Sequence, residues 1–260
     1  MTCNKCGSPL EMVEQIRIKP VWSGGGRETI QVPAPCSVCE RRQQEQTDAI
    51  MRDREFRRLL RESRIPQDVW EMGLDADLWA QRRLSIDSGN EAALEALREW
   101  VSADNAGCLL TGTQGLGKSL LALCAGVDCL RRGQEVLWVT ERDLLDSFRG
   151  RRDSERDLAM AARSVEVLVL DDIGRHQIDR GGKYMMEVYL DIFDCRLPVF
   201  GPQLKTLLTS QHDAASLAKA CCDDALASRL LAIIGGNILH LTGTDRRRPK
   251  WRIGKAVANG

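Results

Sequence analysis

A glycine-rich segment of the sequence has the residue types and the spacing that bind phosphate. Backbone N–H groups in such a segment converge on an anion, and glycines allow close approach because they lack a Cβ atom. In the pattern GxxxxGK[ST] the lysine contacts the β and γ phosphates, and the final hydroxyl coordinates Mg²⁺. We therefore expect a nucleoside triphosphate as the ligand, with Lys118 on the phosphates and Ser119 on Mg²⁺. The residues that match the pattern are Gly112, Thr113, Gln114, Gly115, Leu116, Gly117, Lys118 and Ser119.

Two acidic residues, Asp171 and Asp172, follow the apolar run 165–170. A carboxylate at the carboxyl end of a parallel strand lies beside the phosphate loop, where it can hold Mg²⁺, and a second acid can orient the attacking water. We expect Asp171 to hold the metal and Asp172 to orient the water. The run 205–211 also ends in polar residues, one of which could contact the γ-phosphate or that water.

Four cysteines near the N-terminus form two CxxC pairs. Cys3 and Cys6 make the first pair, and Cys36 and Cys39 make the second. Two such pairs can surround one ion with four thiolates, a tetrahedral arrangement that suits Zn²⁺. Because so short a segment has little apolar surface, bound metal would supply most of its stability. A structural zinc is the preferred interpretation; the alternatives are redox-active or incidental cysteines. A catalytic zinc is disfavoured, because the sequence shows no acid that would activate a zinc-bound water.

The segments that would position these residues alternate between strand-like and helix-like. Such alternation predicts an α/β fold with a parallel sheet built from right-handed crossovers. The phosphate loop would then join the first strand to a helix that includes 120–127. Fewer than twenty residues follow the last strand, so we expect no C-terminal helical lid. The strand candidates are 108–111, 135–139, 165–170, 205–211 and 238–241.

Length and composition allow one α/β core with a small additional module, since the chain has 260 residues and 43% hydrophobic content. We expect a four-cysteine zinc-binding module at 1–40, with ribbon-like strands at 11–19 and 28–32. A charged helix is expected at 41–64, and the nucleotide-binding domain at 65–260. The preferred interpretation of the charged helix is a solvated linker; the alternative is a docking helix or a DNA-contacting arm.

Net charge and hydropathy limit the possible locations and partners. The formal net charge is zero, so any contact with DNA must come from local patches. The sequence has neither a basic-then-apolar N-terminal segment nor an apolar run of about eighteen residues. We therefore expect a cytoplasmic protein without membrane association.

Several motifs together resemble the AAA+ ATPases of the DnaC/DnaI helicase-loader and IstB transposition-helper group, over roughly residues 60 to 248. The segment 168–174 is similar to the Walker B motif of that group, in which Ile-Gly follows the acids. The segment 141–148 is similar to its extra helix between the second and third strands, and 209–211 looks like its sensor 1. The stretch 227–230 is similar to the one that carries the arginine finger. A zinc-binding module ahead of such a core also resembles the DnaC/DnaI arrangement.

This resemblance implies roles for further residues. Ser210 would be the sensor 1 residue, and Arg229 would be an arginine finger that completes the site of a neighbouring subunit, so the active form would self-associate through ATP. The second Walker B acid is Asp172 rather than the glutamate of most AAA+ proteins. A sensor 2 arginine has three candidates, and a solvated basic tail is an equal alternative. The candidates are Arg246, Arg247 and Arg248.

The resemblance implies an ATP- and Mg²⁺-dependent helicase loader. Its N-terminal module would bind a DnaB-type replicative helicase, the ATPase domains would assemble on single-stranded DNA, and hydrolysis would release the contact. The alternative is an IstB-type transposition helper that assembles on duplex DNA, and the four-cysteine module favours the loader. A stand-alone metabolic kinase is disfavoured because no second-substrate constellation is visible.

Overall fold

The computed structural model describes residues 1–18, 26–75, 89–103, 107–149, 153–174, 178–197, 204–220 and 223–245. The chain divides into two compact units, Met1–Glu55 and Phe56–Gly260. The domain limits 40/41 and 64/65 expected from sequence stay a prediction.

The smaller unit contains an antiparallel hairpin followed by the start of a long helix. Strand β1 (Met12–Ile18) pairs with β2 (Arg27–Pro33), with Met12 opposite Pro33 and Ile18 opposite Arg27. Both strands were expected from the sequence; most of the turn between them lies outside the described residues. Helix α1 (Ser37–Glu62) begins directly after Cys36, so the second cysteine pair lies at its first turn.

The larger unit is built on a five-stranded parallel sheet, which confirms the predicted fold class. The strand order is β4-β5-β6-β3-β7, and every neighbouring pair is parallel. In this order the carboxyl ends of β3, β5 and β6 lie side by side, and these are the ends that carry the predicted site residues. The strands are β3 (Gly107–Thr111), β4 (Val136–Thr140), β5 (Val167–Ile173), β6 (Lys205–Ser210) and β7 (Ile238–His240).

Helices cover both faces of this sheet. Successive residues of β3 enter different apolar layers, because side chains alternate along a strand: Cys108 and Leu110 pack with α3, and Leu109 packs with residues of α6 and α8. A short 3₁₀ helix spans Gln67–Val69. Besides the end of α1, the described part of this unit contains the α-helices α2 (Glu91–Ser102), α3 (Lys118–Arg131), α4 (Glu141–Arg149), α5 (Asp153–Ser164), α6 (Ile178–Arg196), α7 (Ala214–Ala220) and α8 (Asp224–Ile234).

A buried arginine joins the amino ends of β5 and β6 to the ends of two helices. Arg196, the last residue of α6, is 0% exposed, and its guanidinium donates to four carbonyl oxygens and to the hydroxyl of Thr206. Two of the carbonyls, those of Ala162 and Val165, belong to the end of α5 and the turn after it. The cation therefore lies where helix carbonyls would otherwise lack partners.

The expected absence of a C-terminal helical lid stays a prediction. Residues 246–260, where a C-terminal lid would lie, are outside the described residues. Among the described residues, no helix is long and apolar enough to cross a membrane.

Candidate nucleotide-binding site

The phosphate loop joins the end of β3 to the start of α3, as the motif predicts. Lys118 is the first residue of α3, and Gly117 before it has a left-handed backbone with φ 90°. The Lys118 side chain is 7% exposed and its Nζ donates to the carbonyl oxygens of Gly112 (2.7 Å) and Thr113 (2.8 Å). The ammonium is therefore held at the loop itself, where it can meet phosphate at the N-terminus of a helix.

Two glycines of this loop are required by close neighbours. A Cβ atom on Gly112 would lie 2.5 Å from the carbonyl oxygen of Leu241, and one on Gly115 would overlap the carboxylate of Asp245. Both glycines also have positive φ, 140° and 79°, which a side chain would strain. The segment after β7 thus packs directly against the phosphate loop.

The two predicted Mg²⁺ ligands lie next to each other. Asp171, near the end of β5, is 6% exposed, and its carboxylate accepts hydrogen bonds from the hydroxyls of Thr209 (2.6 Å) and Ser119. Burial raises the pKa of Asp171, and these two hydrogen bonds partly oppose that effect. A carboxylate beside a serine hydroxyl fits Mg²⁺, which prefers oxygen ligands and uses few from the protein.

The second acid, Asp172, has a strained backbone and is held by polar side chains. Its φ is 61°, in the left-handed region that non-glycine residues seldom adopt. Its N–H donates to the hydroxyl of Thr209 (2.8 Å), and its carboxylate accepts from the side-chain amide of Gln211 (3.2 Å). The carbonyl oxygen of the same Gln211 amide accepts from the side chain of Gln114 (2.9 Å). A row of hydrogen bonds therefore connects the phosphate loop to the second acid.

The structure places Gln211, rather than the predicted Ser210, against the second acid. The Ser210 hydroxyl donates to the carbonyl oxygen of Ile173 (2.8 Å) and accepts from the N–H of His212 (3.1 Å). Side-chain alternation along β6 explains why Thr209 and Ser210 face opposite sides, and Gln211, directly after the strand, reaches the same acid side as Thr209. Thr209 and Gln211 belong to the stretch 209–211 that resembles sensor 1, but Ser210 was the residue predicted from it.

Arg229, the predicted arginine finger, lies on α8. Its Nε donates to the carboxylate of Asp194 on α6, and its Nη1 donates to the carbonyl oxygen of Ala225 (3.3 Å). The bond to Asp194 raises the pKa of Arg229. A finger acts in a neighbouring subunit, so its role stays a prediction. Arg246, Arg247 and Arg248, the sensor 2 candidates, lie outside the described residues.

The four N-terminal cysteines form a compact cluster of sulfur atoms. All four Sγ atoms lie within 4.8 Å of one another, with Cys3–Cys39 at 3.6 Å and Cys6–Cys36 at 3.4 Å. A tetrahedral zinc with bonds of about 2.3 Å has sulfur–sulfur separations of about 3.8 Å. The cluster therefore has the donors and nearly the dimensions that zinc requires.

The protonation of these thiols also fits a cation. Hydrogen bonds from the hydroxyl and backbone of Ser8 lower the pKa of Cys6 to about 6. Hydrogen bonds with the side chains of Cys6 and Cys3 raise the pKa of Cys39 to about 12, because they hold its proton, so the four thiols do not ionise together. A divalent cation would remove this conflict, since it stabilises several thiolates at once.

The fold and this site define the larger unit as a P-loop core with the AAA+ fold. The similarity is visible in solved structures: the crystal structure of DnaI superposes with a TM-score of 0.54 and 20% identity, covering 71% of this chain and 95% of that one. The crystal structure of the DnaC helicase loader also gives 0.54, at 18% identity, covering 68% of this chain and 100% of that one.

The chain belongs to the family of IstB-like ATP binding proteins, whose model matches residues 42–244. A putative insertion sequence ATP-binding protein, y4uH of Sinorhizobium fredii, is 32% identical over 54% of this chain and 56% of its own length. The replicative helicase loader DnaC of Escherichia coli is 31% identical over 42% of this chain and 46% of its own length. The chain thus matches about half the length of these curated relatives.

Proposed function

We propose that the site at the carboxyl edge of the sheet binds MgATP and hydrolyses it. Lys118 and the loop's backbone N–H groups hold the phosphates, and Ser119 and Asp171 hold Mg²⁺. Asp172 orients the attacking water. The side-chain amide of Gln211, which contacts Asp172, would also contact the γ-phosphate. The observation that carries this proposal is the convergence of Ser119, beside the phosphate loop, with the two acids Asp171 and Asp172 of β5, a distant part of the chain.

Hydrolysis is completed, in this proposal, by Arg229 of a neighbouring subunit. A positive charge at the γ-phosphate stabilises the transition state, so Arg229→Ala slows turnover without weakening nucleotide binding. Assembly and ATP binding then support each other, and hydrolysis releases the contact.

We further propose that the chain is a helicase loader. Its four cysteines hold a structural zinc, and the small unit around that zinc binds a DnaB-type replicative helicase for placement on single-stranded DNA. The match to the DnaC loader and the sulfur cluster ahead of the ATPase core support this function. The match to y4uH and the family model support the second candidate, an insertion-sequence helper that assembles on duplex DNA.

One binding experiment separates the two candidates. The full chain is mixed with the replicative helicase of its host, with and without ATP, and the masses of the complexes are measured by size-exclusion chromatography. A chain lacking residues 1–55 is the matched variant, because Leu59 and Leu60 belong to the core of the larger unit and must stay.

A complex that forms with the full chain and is lost in the truncated one supports the loader. If the full chain does not bind the helicase but forms ATP-dependent assemblies on duplex DNA, the insertion-sequence helper replaces the loader as the proposed function. Metal analysis of the full chain checks the zinc: one equivalent is expected, and none in a Cys36→Ser, Cys39→Ser variant.

A further inference from the structure

The strand that carries both acids leaves the regular pairing pattern at those acids. The register between β5 and β6 shifts between Leu170 and Ile173, and Asp172 within that shift has a φ of 61°. A left-handed backbone is strained for residues other than glycine, although less for aspartate and asparagine than for most, and such strain persists only where the surroundings hold it. The turn at Asp172 therefore needs support from outside its own strand.

Three side chains from other elements supply that support. The hydroxyl of Thr209 accepts the N–H of Asp172 (2.8 Å), and the hydroxyl of Ser210 donates to the carbonyl of Ile173 (2.8 Å). A carboxylate oxygen of Glu141, the first residue of α4, accepts the N–H of Gly174 (2.9 Å). The three side chains are at most 1% exposed, so water does not compete for these bonds.

Thr209 has a second role, because its single hydroxyl joins the two acids. It accepts from the backbone of Asp172 and donates to the carboxylate of Asp171 (2.6 Å). The metal-holding acid and the water-orienting acid are thereby fixed relative to each other. A valine of the same shape would keep the packing and lose both bonds.

We propose that Thr209 and Glu141 are positioning residues for hydrolysis: they hold the strained turn that aims the carboxylate of Asp172 at the attacking water. The inference rests on the proposed role of Asp172. Neither residue needs to touch the nucleotide. Their loss should therefore lower kcat and leave ATP affinity nearly unchanged, since a misplacement of about 1 Å can reduce a rate about 100-fold.

Thr206 provides a matched control on the same strand. It is buried (0% exposed) and its hydroxyl also makes two hydrogen bonds, one from Arg196 (2.8 Å) and one to the carbonyl of Leu204 (3.0 Å). Thr206→Val and Thr209→Val therefore remove comparable bonds from β6. A purely structural role for Thr209 predicts the same kinetics for both variants.

The experiment measures Mg²⁺-dependent ATP hydrolysis, the affinity for a fluorescent ATP analogue, and the melting temperature of full-length variants. We expect kcat of Thr209→Val to fall 10- to 100-fold with affinity within about twofold, and kcat of Thr206→Val to stay near the parent value. Thr209→Ser keeps the hydroxyl and should recover most of the rate. If Thr209→Val does not fold, Glu141→Leu against Glu141→Gln tests the same turn, because glutamine keeps an oxygen for the N–H of Gly174.

An Asp172→Ala variant distinguishes failure of the proposed role of Asp172 from failure of the positioning role of Thr209 and Glu141. If it is slow while Thr209→Val or Glu141→Leu turns over at the parent rate, the positioning role is wrong and the role of Asp172 stands. If Asp172→Ala itself hydrolyses ATP at the parent rate, the proposed role of Asp172 is wrong and the positioning role is lost with it. Equal losses of kcat in Thr209→Val and Thr206→Val would also overturn the inference.

Discussion

Replacing Arg196 by methionine removes a buried cation that has only neutral hydrogen-bond partners among the described contacts. The guanidinium donates to the carbonyl oxygens of residues 162, 165, 166 and 205 and to the hydroxyl of Thr206. Methionine fills a similar volume but donates nothing. The change therefore separates the contribution of these hydrogen bonds from that of packing.

Two opposing contributions decide the size of the effect. Burial lowers the pKa of Arg196 to about 9, because the guanidinium has been removed from water, and it remains a cation at neutral pH. Against that cost, each buried acceptor left without a donor destabilises the fold by about 1–3 kcal/mol. With several acceptors affected and some reached by water, we expect a net loss of about 3–5 kcal/mol.

Urea unfolding followed by tryptophan fluorescence measures this loss of unfolding free energy. Since each kcal/mol lowers the melting temperature by about 2–4 °C, the melting temperature should fall by about 10 °C. Arg196→Lys should fall between methionine and the parent, because one ammonium cannot reach acceptors on both α5 and β6. A methionine variant within about 1 kcal/mol of the parent would refute the reasoning. It would mean that burying the cation costs as much as its hydrogen bonds contribute.

Four further outcomes follow from the site. Lys118→Ala should lose binding of a fluorescent ATP analogue, because no other side chain of the phosphate loop carries a positive charge. Arg229→Ala should keep that binding and lower the hydrolysis rate at least 10-fold in the assembled protein, measured as phosphate release. Asp171→Asn should abolish Mg²⁺-dependent hydrolysis yet raise the melting temperature of the ATP-free protein, since it removes a buried charge. Burial raises the pKa of Asp171 in the folded state, so the folded protein takes up this proton more readily than the unfolded chain. As pH falls through that pKa, the free energy of unfolding of the ATP-free parent should therefore increase, while the hydrolysis rate should decline. Measuring the melting temperature and the rate of phosphate release across that pH range checks both effects.

The local parts of the site were predictable because short-range rules determine them. The phosphate loop follows from glycine spacing between a strand and a helix, and Lys118 begins α3 as expected. The apolar runs around 108–111 and 205–211 became strands because each is buried on both faces of a parallel sheet. Residue type and spacing along the chain contain this information.

The contacts across the sheet were harder to predict. Strand β5 was expected to end at Leu170 but continues through both acids to Ile173, because the irregular pairing with β6 keeps the chain in the sheet. The bond between Thr209 and Asp171 depends on β5 and β6 being neighbours, and alternation alone predicts the parallel sheet without its strand order. Ser210 was selected by its place in a motif, whereas side-chain alternation decides which residue reaches the acid.

The left-handed backbone at Asp172 means that folding stability and ATP hydrolysis favour different residues at this position. Glycine would adopt that φ without strain, and asparagine tolerates it better than most residues, so both should be enriched in a library at position 172 sorted for thermal resistance alone. A library sorted for phosphate release should instead retain a carboxylate there. The difference in melting temperature between the residues enriched by the two selections would show how much folding stability the carboxylate at position 172 costs.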